Sequence, residues 1–170
     1  ISNLYHPRTI YMLSKIVGEV IYINSRLPYL NLRLHNVIGP HMYKFHGIPT
    51  FIRKIKFKKK LNFFNKNHIR SYIFIDEAIQ QIIKLSLNKN IKNEAINIGN
   101  TKNIFKNKSI ITLIMKLMNF KKKINFKNDN KNSINVRIPS TKKLKKKIKY
   151  NYNKNFEEDL KKTIEFFEKK

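Results

Sequence analysis

The sequence predicts an α/β chain, on three observations. Short runs alternate apolar and polar residues, as half-buried strands do. Longer stretches between them carry apolar residues at helical spacing, and turn-forming residues separate the two kinds. At 170 residues the length fits one domain, or one and a fragment. A hydrophobic content of 41% with 12% aromatics supplies enough apolar material for a core.

In chain order, the segment after Pro7 reads as a helix, with Ile10, Leu13, Val17, Val20 and Ile21 as its apolar stripe and Leu27-Pro28 beyond its end. Tyr29–Asn36 reads as a strand in which Leu30, Leu32 and Leu34 alternate with polar residues, stopped by the Gly39-Pro40 turn. A loop through His46–Pro49 leads into a short helical stretch at Thr50–Phe57. Ser71–Ile75 is a second strand running into Asp76, expected as the N-cap of a helix that carries Ala78, Ile79, Ile82, Ile83 and Leu85. Ala95–Ile98, closed by Gly99, is a third strand. A helix is expected at about Ser109–Met118, followed by a lysine- and asparagine-rich stretch to Asn135. The last helix starts at Asn155 with Glu158 placed for a capping box, and its apolar face is Phe156, Leu160, Ile164 and Phe167. No repeat of 20–50 residues is visible, which argues against a solenoid.

Composition narrows the function. The absence of cysteine removes disulfides, thiolate metal sites and cysteine nucleophiles. The glycines stand at 18, 39, 47 and 99, too sparse to encode a Gly-rich phosphate cradle. No apolar run approaches the roughly 20 residues of a membrane span and no secretory pattern opens the chain, so the expectation is a soluble, cytoplasmic protein without membrane attachment. The five histidines, at 6, 35, 41, 46 and 68, lack metal-ligand spacing supported by carboxylates, and no metal site is expected. The formal charge is +27, but only six of the 37 cations are arginine. Lysine, asparagine, isoleucine and phenylalanine share A/T-rich codons, so nucleotide bias accounts for this composition. The basic runs Arg53–Lys60 and Lys142–Lys149 then read as solvated faces. Nonspecific binding of nucleic acid still follows from the charge.

The spacing that carries chemistry is Tyr11-Met-Leu-Ser-Lys15. On a helix, residues four apart share a face, so an ammonium lies beside a phenol and favours its ionised form. Such a tyrosine can move a proton at a sugar or alcohol hydroxyl. Taken alone, the pair is better read as two exposed side chains in a chain this rich in tyrosine and lysine.

Its context adds more. Pro7–Glu19 around the tyrosine and lysine, then Arg33–Pro40, Arg70–Asp76 and Ile96–Gly99 occur in that order, with a closing segment from Leu144 through Tyr150 and Phe156–Leu160 to Phe167. The chain resembles the C-terminal part of an extended short-chain dehydrogenase/reductase, the NAD-dependent epimerase/dehydratase family acting on nucleotide sugars. The resemblance covers nearly the whole chain. It implies the C-terminal portion of a Rossmann-like doubly wound parallel sheet plus a small α/β substrate-binding domain. On that division, residues 1–40 belong to the NAD-binding domain and 41–170 mainly to the substrate-binding region, with about 72–98 returning to the former.

The same resemblance implies roles. Tyr11 would be the catalytic acid/base, and Lys15 would bond the nicotinamide ribose and lower the Tyr11 pKa; both would touch cofactor, NAD rather than NADP. Val37 stands where backbone approaches the cofactor. Asn36 would meet the nucleotide-sugar substrate, Ile48 and Pro49 would line the nucleotide pocket, and Arg70 would grip the substrate diphosphate. Asn36 closing a turn and Arg70 as a surface charge are the plainer readings of those residues. Asn97 and Gly99 read as structural. A UDP- or dTDP-sugar would be oxidised transiently, opening epimerisation, dehydration or decarboxylation, and the helix bearing Tyr11 and Lys15 would pair with its copy in a homodimer.

The departures are equally informative. The family's N-terminal βαβ unit with its GxxGxxG turn is not encoded in these residues, and neither is its catalytic Ser/Thr. Ser71 replaces an acidic residue common after the arginine, and Met12 replaces a small residue after the tyrosine. The chain opens on Ile1. The expectation is a fragment, inactive alone, that needs a complementing N-terminal half. The alternatives are a lysine-rich nucleic-acid-binding module and a decayed, non-catalytic gene product.

Overall fold

A computed structural model describes residues 9–57, 61–127, 134–152 and 155–169. Pro7 and His6, Lys58–Lys60 of the first basic run and positions 128–133 of the asparagine-rich stretch lie outside the described residues.

The first helix, α1 (Thr9–Asn24), leads to strand β1 (Leu30–Leu34). Asn36, held at φ +43°, then swings the chain into β2 (Val37–Ile38). Strand β1 pairs in parallel with a strand from Glu94 to Ile98, Leu30 facing Glu94 and Leu34 facing Ile98, and the His35 N–H donating to the Ile98 carbonyl extends the ladder. The remaining elements, in order, are α2 (Gly47–Lys56), β3 (Asn62–Phe63), β4 (Ile69–Ser71), β5 (Ile73–Phe74), α3 (Ile75–Ser86), β6 (Glu94–Ile98), β7 (Ile104–Lys106), α4 (Asn107–Leu117), β8 (Asn125–Phe126), β9 (Val136–Arg137), α5 (Lys142–Lys147) and α6 (Phe156–Lys169).

The predicted α/β class is borne out, with parallel pairing as its dominant feature. Strand β5 pairs with β2, α3 crosses over, and β6 returns beside β1, all in parallel. A parallel return of this kind needs a crossover helix, which is why α3 lies over the strands. Strand β4 is flanked by β7, antiparallel, and β9, parallel, while β3 pairs with β8.

Two apolar cores follow. One joins the strands to α3 and α5 through Ile73, Ala78, Leu85, Ile96, Ile98, Leu144 and Ile148. The other gathers α2, α4 and α6 around Ile52, Ile110, Ile114, Leu160 and Ile164. Tyr72, Phe105 and Phe156 meet within it, the last two stacked at 4.6 Å between ring centroids. Buried rings at such spacing add about 0.5–1.5 kcal/mol beyond area burial.

Several boundaries differ from the sequence reading. The strand expected at Ser71–Ile75 is split at Tyr72, whose N–H donates to the Asn103 carbonyl instead of a ladder partner. Asp76 is not the N-cap. Extended Phe74 takes that place, and Asp76 and Glu77 lie in the first helical turn, where carboxylates complement the exposed N–H groups. Helix α2 begins at Gly47, so Pro49 sits in its first turn, where a missing N–H costs nothing. Lys142–Lys147 form α5, a helix hidden inside a basic run because only Leu144 and the following Ile148 turn inward. At the last helix Asn155 and Glu158 do meet, side chain to side chain at 2.5 Å, and the four predicted core residues are buried.

Two glycines are required by close approach. A Cβ at Gly39, which has φ +154°, would fall 2.7 Å from Ile75 Cγ2. One at Gly99 would fall 2.7 Å from Pro139 Cγ. The structural reading of Gly99 and Asn97 agrees with their bonds. Buried Gln81 donates to the Gly99 carbonyl and accepts from its N–H, and Asn97 Nδ2 donates to the Ser140 carbonyl.

Candidate active site

Helix α1 presents the tyrosine–lysine pair on one turn, with Lys15 Nζ 5.3 Å from the centre of the Tyr11 ring. Tyr11 is 65% exposed. The helix rests lightly on the molecule. Thr9 is its buried residue, and its apolar stripe faces out, with Ile10 79%, Val17 53% and Ile21 61% exposed. An ion pair ties it to β1, Arg33 donating to both carboxylate oxygens of Glu19. That bond holds the Glu19 carboxyl below its ordinary range.

A second group forms where β1 and β2 meet β4 and β5. Asn36 Nδ2 donates to the Ser71 carbonyl at 2.9 Å, and the Ile73 N–H reaches the Asn36 carbonyl at 3.3 Å. The positive φ of Asn36 is therefore fixed by bonds across the strand junction, and the residue does close a turn. Val37, next along, is half-buried and pairs with Ile73. His35 Nδ1 lies 3.3 Å from Ser71 Oγ and 3.4 Å from Asn36 Nδ2.

Arg70 is not a free surface charge. Its NH1 donates to the carbonyls of Ile69 and Asn135, its NH2 donates to that of Ile134, and NH2 lies 3.2 Å from His68 Nδ1. In the parallel β4–β9 pair, Arg70 stands opposite Arg137. Residues opposite each other on adjacent strands project to the same side, so the two arginine side chains leave the sheet on one face. Burial, then the charges of Arg137 and Arg70, pushes the His35 imidazole below its ordinary pKa. A neutral imidazole beside two arginines leaves the positive field to the guanidiniums, which suits a bidentate anion.

The structure thus brings Asn36, Val37 and Arg70 together and keeps Tyr11 and Lys15 on a separate helix. Ile48 and Pro49 belong to neither group: both are buried in the first turn of α2, with Ile48 in the helical core. Arg137, His35 and Ser71 enter the arrangement without having been singled out for it. The signal for Arg137 was the short alternation Ile134–Ile138 before Pro139. Among the described residues no cluster of His, Asp and Glu could hold a metal, and no helix is long and apolar enough to cross a membrane.

Comparison with known proteins gives consistent results. The NAD dependent epimerase/dehydratase family matches over residues 1–99. No curated protein matches the sequence. Among solved structures, the chain is similar to UDP-glucose 4-epimerase from Thermotoga maritima, solved with UDP-glucose, at 23% identity and a TM-score of 0.77, covering 93% of this chain and 52% of that one. It is similar to dTDP-glucose 4,6-dehydratase from Bacillus anthracis, solved in complex with NAD, at 23% identity and a TM-score of 0.76, covering 92% and 49%. An epimerase from Methanothermobacter thermautotrophicus shares 18% identity with a TM-score of 0.82, covering 99% and 52%. The chain spans about half the length of each, and at these identities the likeness establishes the fold. With more than half of its residues matched, the chain belongs to the NAD-dependent epimerase/dehydratase family.

Proposed function

We propose that this chain carries the proton-transfer helix and the diphosphate-binding floor of a nucleotide-sugar epimerase, dehydratase or decarboxylase. The observation that carries this reading is the Arg70–Arg137 pair, set in register on adjacent strands beside Asn36 and an imidazole held neutral. Two forked cations on one face suit the diphosphate of a UDP- or dTDP-sugar, the ligand class supported by relatives solved with UDP-glucose or UDP. On binding, Arg70 exchanges the carbonyls of Ile134 and Asn135 for phosphate oxygens, and Arg137 closes from the neighbouring strand. Asn36 orients the sugar, and Ile48 and Pro49 support the nucleotide pocket from below.

The donor set fits the ribose end of NAD. Lys15 and Tyr11 share one helical turn and are accessible, and Val37 would meet the cofactor through its backbone. The four glycines provide no cradle for the dinucleotide phosphates, so those contacts come from residues beyond the 170 described by this sequence, joined to it or separate. When bound, NAD would supply reversible hydride exchange at a sugar carbinol. Tyr11 takes the proton from that hydroxyl oxygen and later returns it. Lys15, one turn along the same helix, holds the ribose. In this reading residues 1–40 and about 72–98 form the cofactor-binding part and the remainder mainly the substrate-binding part, and the chain alone turns over little substrate.

The apolar stripe of α1 needs a cover in this reading, supplied by the complementing half, by the same helix of a second copy, or by both on different faces. The test is calorimetry with NAD and UDP-glucose, on the chain alone and mixed with a polypeptide carrying the family's Gly-rich N-terminal unit. Saturable NAD binding in the mixture alone supports the reading. Absence of binding in both samples contradicts it.

A further inference from the structure

The outer side of α2 combines features that the nucleotide-sugar reading does not use. Tyr43, Phe45 and Phe57 are 61%, 61% and 53% exposed. Tyr43 meets Phe45 edge-on at 5.3 Å and His46 at 5.5 Å. Cations lie over these rings: Lys44 at 5.2 Å and Arg53 at 5.8 Å from the centre of Phe45, and Lys56 at 5.5 Å from Phe57. Two adjoining shallow concavities run along this surface. One is lined by Phe45, Thr50, Arg53, Lys54 and Phe57, and its neighbour by Lys44, Arg53, Lys56, Phe57 and Phe167. Neither lining contains a carboxylate.

Sequence explains the arrangement. The α2 turn spacing points Arg53 away from buried Ile48, Ile52 and Ile55 and sets Lys56 on the flank, its Nζ donating to the Glu168 carbonyl, with Phe57 at the C-cap and Tyr43–Phe45 in the preceding loop. Exposed rings of this number ordinarily stay buried; here they stand in water with cations between them.

We propose that this face binds single-stranded nucleic acid. A strand needs cations along a groove for its phosphates and flat groups at intervals for its bases, and the shared Arg53 and Phe57 make two such stations continuous. A bilayer surface would also accept aromatics and lysines. It would need rings standing clear of the surface, however, whereas Phe45 and Phe57 line the concavities. The excess of 27 positive charges accelerates encounter with any polyanion and confers no preference. Preference for a single strand must come from the rings.

That distinction sets the experiment: anisotropy titration of fluorescein-labelled oligo-dT with the whole chain, repeated with heparin as competitor. Phe45→Ala leaves the net charge unchanged and is expected to weaken binding about tenfold, the loss of one stacking contact. Arg53→Gln weakens it and reduces the salt slope by about 0.7. Lys142→Gln with Lys143→Gln, exposed on α5, leaves the oligo-dT affinity close to that of the parent. All these positions are exposed, so circular dichroism should match the parent. Unchanged affinity in Phe45→Ala, equal losses at α5 and α2, heparin displacing oligo-dT as well as unlabelled oligo-dT does, or binding to phosphatidylserine vesicles without binding to oligo-dT would each overturn the proposal.

Discussion

Helices α1 and α6 are of similar length, 16 and 14 residues, and each carries an apolar stripe at helical spacing. Their fates differ. In α6, Phe156, Leu160, Ile164 and Phe167 are buried against α2 and α4. In α1, Ile10, Val17 and Ile21 remain more than half exposed and Val20 close to half. The contrast teaches that periodicity reports which face seeks burial, while the partner for that face is a separate matter. For α6 it lies within the chain. For α1 no described residue covers it, and the proposed reading supplies a cover from outside, since about 25 cal/mol is lost for every Å² of apolar surface left in water.

The largest effect that sharpens this contrast is a matched truncation. Leu160→Ala, which empties a fully buried position, should destabilise the chain by about 2–5 kcal/mol in urea unfolding. Val17→Ala in the chain alone should stay within about 0.5 kcal/mol. Equal losses would mean that α1 is already covered in solution, by self-association, which sedimentation would show.

Acid should act on the two helices in opposite directions. Burial pushes the Asp159 carboxyl, on α6, up to about 6. The folded chain then holds a proton that the unfolded chain releases, so this group's stabilising contribution is present below about pH 4 and is lost as pH rises through 6. Glu19, on α1, has its pKa lowered by Arg33, so its contribution is present at neutral pH and is lost as pH falls through its titration. Asp159→Asn should flatten the stability profile between pH 4 and 6, whereas Glu19→Gln should alter only its acid limb. A profile unaffected by Asp159→Asn would contradict the burial argument.

The smallest effect belongs to the α1 tether itself. The Arg33–Glu19 pair is exposed, with side chains 56% and 25% accessible, so Arg33→Gln should cost no more than about 1 kcal/mol. A larger loss would mean that this pair, not an external partner, fixes the helix.

Much of this architecture was legible because period-2 and period-3.6 patterns are local. The strands at Leu30–Leu34 and Glu94–Ile98 and the buried face of α6 followed from spacing alone. What stayed hidden was decided at a distance. Tyr72 breaks its strand to bond Asn103, an arrangement that no neighbouring residue announces. Helix α5 is hidden among lysines because two inward residues are enough to anchor it. Arg137 gains meaning only when β9 sets it opposite Arg70, across 67 residues of sequence. Ile48 and Pro49 read as loop residues because the helix was expected to start at Thr50, whereas α2 begins at Gly47 and draws both inward.

The central claim is that α1 delivers proton transfer to a nucleotide sugar, and its most direct test is turnover of UDP-glucose in the chain completed by a Gly-rich N-terminal unit, compared with the same assembly bearing Tyr11→Phe. The account predicts a loss of about 10²–10⁴-fold with NAD binding retained. Undiminished turnover in that variant would contradict it.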